Sequence, residues 1–381
     1  MTHDGPAGDD PAAGARSPAS ANRTAVSVPG KLILMGEHSV VYHRPAVVAA
    51  VDLRLRVTLE GVASDGLELD LASIGVRERT TWTEVDDYGA RARENWREFA
   101  RQPTAPQFDR VRGVDPAHVV KVGLAEAALA CGPRAPRPAR VGVRSDVPIG
   151  AGFGSSAATA VGVIAAFLAH AGRHADPQTV DRVALEVERR QHGLPSGVDH
   201  STVLRGGMIW ALNNPSGAVF LEPVLAVSTL PARIRVFDTG TPTEATGAVV
   251  AAVRERLGAA DPRETEKLLD RMEDATRAFR DELTAREEDS AAVIEILREF
   301  EICLERLGVV PAAVREVVRR VEAEGGAAKI SGAGALRGPG AGCLLVYHRD
   351  PAATDRWEFL RPFRPCRVTL GAPGLRGELP E

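Results

Sequence analysis

Three tight-turn, glycine-rich segments carry most of the chemistry available to this sequence. The central one runs Asp146-Val147-Pro148-Ile149-Gly150-Ala151-Gly152-Phe153-Gly154-Ser155-Ser156-Ala157-Ala158. Glycines at alternate positions let the backbone approach an anion without a Cβ clash. A helix opening at Ser155 would turn its free N–H groups and its partial positive charge toward that anion. Ser155 and Ser156 add hydroxyls able to bond phosphate or ligate Mg²⁺. Two readings stay open on this pattern alone: a phosphate cradle, or a turn that only packs a helix on a strand. No G-x-x-x-x-G-K-[ST] loop occurs in the chain. Gly152-x-Gly154-x-x-Ala157 fits a loosened dinucleotide fingerprint, which keeps an oxidoreductase among the alternatives. The second strand and its acid, expected roughly 20 residues on, are missing because 178–191 reads as helix.

The second segment is Val28-Pro29-Gly30-Lys31-Leu32-Ile33-Leu34-Met35-Gly36-Glu37-His38. A lysine at the mouth of a strand can point into a cleft as a cation for a phosphate or a reacting oxygen. Glu37 and His38 can bind a polar substrate, or each can be a plain surface group. The third segment runs from Glu188 through His192-Gly193-Leu194-Pro195-Ser196-Gly197-Val198 to Asp199. Here a helix ends at Gly193 and a Pro-Ser-Gly turn presents Asp199, which can deprotonate a hydroxyl. The plainer alternative for Asp199 is a cap or turn former. Glu188, in the last turns of that helix, can reach a metal. Lys329-Ile330-Ser331-Gly332-Ala333-Gly334 then leads through Gly338-Pro339-Gly340-Ala341-Gly342 into an apolar run, a further loop able to close over a site.

The elements that would position these groups alternate along the chain. Ala25–Val28 is a short strand ended by Pro29-Gly30, and Lys31–Gly36 resumes it. Residues 46–59 run apolar through Val51 and then alternate, with Leu53, Leu55, Val57 and Leu59 on one face and Arg54 and Arg56 on the other, the mark of a half-buried strand. Further strands are expected at 67–71, 139–143, 206–213, 219–224, 233–238, 328–331, 343–347 and 368–370. Helices are expected at 117–130, 155–171, 178–191, 243–257, 262–285, 290–307 and 311–324. Residues 75–116, with Trp82 and Trp96, read as a lid or as a surface excursion pinned by its tryptophans. Pro133–Pro138 reads as a loop. The class is α+β or α/β in two lobes, 23–225 and 226–381, behind a disordered tail of residues 1–22.

Composition narrows the function. The chain has 381 residues, 44% of them hydrophobic, and a net charge of −4. That balance offers no basic field for nucleic acid or an anionic membrane. No apolar run is long enough for a transmembrane helix, and the N-terminal stretch lacks the apolar core of a signal peptide. Cys131, Cys303, Cys343 and Cys366 form no metal-ligand spacing and read as reduced thiols of a cytoplasmic protein.

Taken together and in order, the segments at 29–38, 148–157 and 332–334 resemble the GHMP small-molecule kinase family. Within it, His192-Gly-Leu-Pro-Ser-Gly-Val-Asp199 is similar to the mevalonate kinase branch, as are the spacing of Glu188 and the run Asp238-Thr239-Gly240 with Pro242 and Thr246. The resemblance implies a two-lobed α+β fold with mixed sheets and ATP in the cleft between the lobes. It implies phosphorylation of the 5-hydroxyl of mevalonate, with Mg²⁺. Asp199 would be the base and Lys31 the stabilising cation. Pro148, Gly150, Ala151, Gly152, Gly154, Ser155 and Ser156 would cradle the nucleotide phosphates, joined by Gly332 and Gly334. Ser156 and Glu188 would hold Mg²⁺. Glu37, His38 and Thr246 would contact the acceptor. A homodimer also follows from the resemblance. The third loop departs from the family pattern, because Ala335-Leu336-Arg337-Gly338-Pro339 intervenes before Gly340. Two alternatives accompany this reading. One is another small acceptor, including a phosphorylated one held by Arg54, Arg56, Arg144 or Arg189. The other is a non-catalytic nucleotide or metabolite sensor.

Overall fold

The computed structural model describes residues 23–378 apart from 64, 133–137 and 215–218. The tail expected at 1–22 and most of the 133–138 loop lie outside the described residues. The first lobe comprises β1 (Arg23–Met35), β2 (Ala46–Gly61), β3 (Leu67–Leu71), β4 (Val76–Thr80), α1 (Trp82–Arg101), α2 (Ala105–Arg112), α3 (His118–Cys131), β5 (Ala139–Ser145), α4 (Ser155–His170), α5 (Pro177–His192), α6 (Val198–Arg205), β6 (Met208–Asn213) and β7 (Val219–Pro223). The second comprises α7 (Leu230–Arg233), β8 (Ile234–Asp238), α8 (Thr246–Ala259), α9 (Pro262–Thr284), α10 (Ser290–Leu307), α11 (Ala312–Ala323), β9 (Ala327–Ser331), β10 (Cys343–Tyr347) and β11 (Arg364–Cys366). A last strand, β12 (Arg376–Glu378), crosses back to pair with β1.

The larger sheet runs β12-β1-β2-β5-β3-β4, with β6 on the other half of β2 and β7 beyond it. Its pairs are antiparallel except β3 with β5, so the sheet is mixed. The smaller sheet is antiparallel, in the order β11-β8-β10-β9. The two sheets therefore divide between Pro223 and Ile234.

Small residues set how closely α4 seats on the larger sheet. The helix is buried along nearly its whole length. A Cβ on its Gly162 would lie 2.7 Å from Val57 Cγ2. This accounts for the Ala- and Gly-rich run that marked the helix in the sequence, because larger side chains there would overpack the interior.

Pro29-Gly30 does not end a strand, contrary to expectation. β1 continues through it with a shift of register against β2. Proline cannot donate to the ladder, and a bulge is where a sheet tolerates that. The bulge serves as a seat. A Cβ on Gly30 would meet Phe153 O at 2.9 Å, and the next amide, Lys31 N, donates to that carbonyl at 2.9 Å. Residues 368–370 likewise form no strand, only a bridge between Leu370 and Val51.

Residues 75–116 form β4, α1 and α2. Trp82 packs edge-on against Phe167 with ring centroids 5.7 Å apart, and Trp96 Nε1 donates to Gly193 O at 2.8 Å. The tryptophans do pin the segment, and what they pin is a wall of the cleft described next.

Candidate active site

Between the lobes lies a cavity of about 840 Å³, and the three motif segments meet in it. Lys31, Glu37 and His38 reach it from the end of β1. Gly150, Gly152, Gly154, Ser155 and Ser156 reach it from the loop before α4, and Glu188, His192 and Asp199 from α5 and α6. Thr246, Gly332 and Gly334 come from the second lobe. Pro148 and Ala151 lie off its wall. Ala151 faces the second lobe, where its carbonyl accepts from Cys343 Sγ at 2.9 Å and so braces the loop.

The loop before α4 is built for close approach. Gly150, Gly152 and Gly154 have φ values of 74°, 88° and 72°, in the left-handed region where a side chain is strained. Space demands glycine as well. A Cβ on Gly152 would lie 3.0 Å from Ser331 O of the other lobe, and one on Gly154 would lie 2.7 Å from Lys31 Cγ. The Lys31 side chain thus lies across the bare backbone of Gly154.

Helices α4, α6 and α8 begin after Gly154, Gly197 and Ala245, none with a side-chain cap. All three starts line this one cavity. Helices α1, α5, α9 and α10 are capped by Thr81, Asp176, Asp261 and Asp289, whereas α2, α3, α7 and α11 also lack a side-chain cap, and of these α3 brings its first residue, His118, to the cavity wall. Uncapped N-termini leave backbone N–H groups available, although Val198 N of α6 donates to Ser196 Oγ at 3.3 Å, and three such starts on one cavity make it a receptor for negative charge.

Asp199 does not sit on a bare turn. It occupies the first turn of α6, with Gly197 in the cap position. Its Oδ2 lies 3.0 Å from Lys31 Nζ, with the lysine buried at 4% exposure and the aspartate at 32%. Glu188 is buried beside them. Burial first, then the neighbouring charge of Asp199, pushes its carboxyl up to about 8. Ser156 Oγ donates to Glu188 Oε1 at 3.3 Å and lies 2.9 Å from His192 Nε2. Burial holds His192 down at about 4, so this imidazole is neutral at physiological pH. His192 was quoted within its motif but given no role by the sequence. Only its contact with Ser156, 36 residues away, reveals one.

At the opposite end, Glu37 is 1% exposed and pairs with Lys329 of β9, its Oε1 2.5 Å from Nζ. His38 holds a φ of 59°, uncommon for a residue with a side chain, and its Nε2 donates to Ala333 O at 2.9 Å. The arginines considered as anchors for a phosphorylated acceptor are elsewhere. Arg54 binds Ser27 and the carbonyls of Pro373 and Gly374, Arg56 pairs with Glu378, Arg144 with Asp70 and Arg189 with Glu186. None of the four lines the cavity, although Arg112 does. The sequence also gave no sign that Phe108, Val114 and Pro116 would form a wall.

The inserted residues of the third loop bend away from the cavity. Arg337 Nε donates to Glu244 at 2.9 Å, and a Cβ on Gly338 would lie 2.6 Å from Thr243 Oγ1. Gly332 and Gly334 keep their place opposite the first glycine loop.

Comparison with known proteins agrees with this geometry. Residues 118–207 match the model of the GHMP kinases N terminal domain. The chain is 28% identical to the mevalonate kinase of Bos taurus, over 92% of this chain and 93% of that one. It is 28% identical to the mevalonate kinase of Pyrococcus horikoshii, over 84% and 87%. A crystal structure of mevalonate kinase superposes with a TM-score of 0.71 at 16% identity, covering 91% of this chain and 98% of that one. The motifs in their order, the α+β cleft they line and these relatives agree in one likeness: residues 118–207 match a GHMP kinase N-terminal domain, and the chain as a whole is similar to mevalonate kinases.

Proposed function

We infer that this chain is an ATP-dependent kinase that transfers the γ-phosphate to the 5-hydroxyl of mevalonate. One observation carries the reading. A lysine–aspartate pair 3.0 Å apart stands in a cavity onto which three uncapped helix starts open. The full-length relatives named mevalonate kinase supply the acceptor.

Asp199 Oδ2 accepts the proton of the acceptor hydroxyl as the oxygen attacks phosphorus. Lys31 stays beside it and offsets negative charge on the attacking oxygen and the transferring group. Gly150, Gly152, Gly154 and Ser155, with the start of α4, hold the nucleotide phosphates, and Gly332 and Gly334 face them from the other lobe. Glu37, His38 and Thr246 orient the acceptor.

Ser156 and Glu188 fit Mg²⁺. Both offer hard oxygen donors, and the Glu188 carboxyl is buried with Ser156 bonded to it. Among the described residues no three His, Cys, Asp or Glu side chains converge on a metal position. A metal here would complete its shell with phosphate oxygens and water. When bound it neutralises charge on the β- and γ-phosphates. Four free cysteines support a cytoplasmic placement.

The test is ADP release by purified protein with ATP, Mg²⁺ and mevalonate, with phosphomevalonate, galactose and homoserine in parallel. Mevalonate-selective turnover is the expected outcome. Turnover with a different acceptor alone would overturn the acceptor assignment.

A further inference from the structure

Lys329 is fully buried in β9, the terminal strand of the smaller sheet, and none of the mechanism above uses it. Strand alternation puts Lys329 and Ser331 on one face. Both reach the first lobe: Ser331 Oγ donates to Ile33 O at 2.8 Å and Lys329 Nζ bonds Glu37 Oε1. Among the described residues β9 pairs only with β10, so its other edge needs partners. Side chains supply them at Ile330. Its carbonyl accepts from Lys329 Nζ at 2.7 Å, and its N–H donates to Glu301 Oε2 of α10 at 3.1 Å. The Phe300 ring closes over the ammonium at 5.4 Å.

Two ammonium bonds thus run in different directions, one to the edge of β9 and one to Glu37. The remaining Glu37 oxygen, Oε2, is buried and has no hydrogen-bond partner among the described residues, while Glu37 lines the cavity. A buried carboxylate oxygen left unpaired is costly unless something arrives to pair it. A hydroxyl-bearing acceptor supplies such a donor.

We propose that Lys329 is a positioning residue for acceptor recognition. From the second lobe it clamps Glu37 Oε1, so that Oε2 is presented in a fixed position to a hydroxyl of the acceptor. The proposal rests on assigning Glu37 to the acceptor. The clamp spans the lobes, so the acceptor subsite exists only when β9 and the end of β1 are in register.

The test compares Lys329→Met, Glu37→Gln and the double variant in steady-state kinetics, with nucleotide affinity measured separately by a fluorescent ATP analogue. Lys329→Met should lower kcat/KM for the acceptor about 10- to 100-fold, the worth of one charged hydrogen bond. Nucleotide affinity should stay within about twofold. Adding Lys329→Met to Glu37→Gln should cost little more, because the two side chains act as one unit. Arg44→Ala is the control for loosened lobes. Arg44 ties the first lobe to Glu266, Asp270 and Glu273 of α9, away from the cavity. It should leave the acceptor KM unchanged. Additive losses, equal losses for acceptor and nucleotide, or the same effect from Arg44→Ala would overturn the proposal. Should Lys329→Met not fold, Lys329→Gln takes its place, and failure of both to fold would reduce Lys329 to a structural residue. All variants are read with whichever acceptor the wild type turns over. A wrong acceptor assignment therefore changes the substrate in the assay, not the split between acceptor and nucleotide.

Discussion

Asp199→Asn separates the chemistry from the architecture of the cleft. Asparagine keeps the shape of the side chain and an oxygen for Lys31 Nζ, now 3.0 Å from Oδ2, but it cannot take a proton. Loss of a positioned general base costs about 10²- to 10⁴-fold in rate, or roughly 3–5 kcal/mol of barrier. Two effects on stability oppose each other. The attraction to Lys31 is lost, but with the aspartate one-third exposed that pair is worth only about 1 kcal/mol. Asp199 also raises the pKa of the buried Glu188 carboxyl by like-charge repulsion, and asparagine relieves that. The net change should stay within about 1 kcal/mol, a shift of a few degrees in Tm at most. ADP release gives kcat, a fluorescent ATP analogue gives nucleotide affinity, and urea denaturation gives stability. The expected result is a kcat lower by at least about 100-fold with the other two nearly unmoved. A kcat within about threefold of wild type would remove Asp199 as the base. A rate loss matched by an equal loss of folded protein would make it a structural residue.

Other substitutions probe the remaining roles. Lys31→Met should lower kcat by orders of magnitude, and a change confined to KM would demote the lysine to a binding group. Glu188→Gln should raise the Mg²⁺ concentration needed for half-maximal rate, and an unaltered Mg²⁺ titration would reject Glu188 as a ligand. Glu301→Gln should stabilise the protein in alkali. Burial lifts the Glu301 carboxyl from 4.5 to about 8, so the native state loses stability as pH rises through that window. Glutamine removes that loss, which is worth a few kcal/mol above about pH 8 and almost nothing near pH 5. Urea denaturation at both ends of the window measures it, and parallel curves for wild type and variant would refute the argument.

What the sequence made legible was local. Gly150 to Ser156 can be recognised because left-handed glycines and a helix start are properties of a few consecutive residues. The same holds for Cys343–Tyr347 and Ser290–Leu307, whose apolar patterns mark their bounds. What stayed hidden depends on contacts far apart in the chain. Pro29-Gly30 looks like a stop, and only the Phe153 carbonyl, more than a hundred residues on, turns it into a bulge. Nothing in the residues around Lys329 points to Glu37, 292 positions away, which the fold places beside it. Helix α6 has eight residues and opens on glycine, so Asp199 reads as part of a turn. The strands β11 and β12 have three residues each, too few for a period to show.

The lengthened third loop shows why a departure from a family pattern need not disturb the site. An insertion costs little if its added residues find partners without entering the cavity, because loop-closure entropy grows slowly with length. Here the partners are specific. Glu244 accepts from Arg337 Nε and from Leu336 N, and Thr239 bonds both to Ala341 N and to Gly342 O through its hydroxyl. These contacts anchor the inserted residues on 239–244, the segment leading into α8. Helix α8 begins at Thr246, so the same contacts brace one of the three helix starts on the cavity. The inserted residues therefore stiffen the second lobe's contribution to the cleft. Gly332 and Gly334 lie before the insertion, tied to β1 through Ser331 and to His38 through Ala333, and Gly332 stands against Gly152 of the glycine loop before α4.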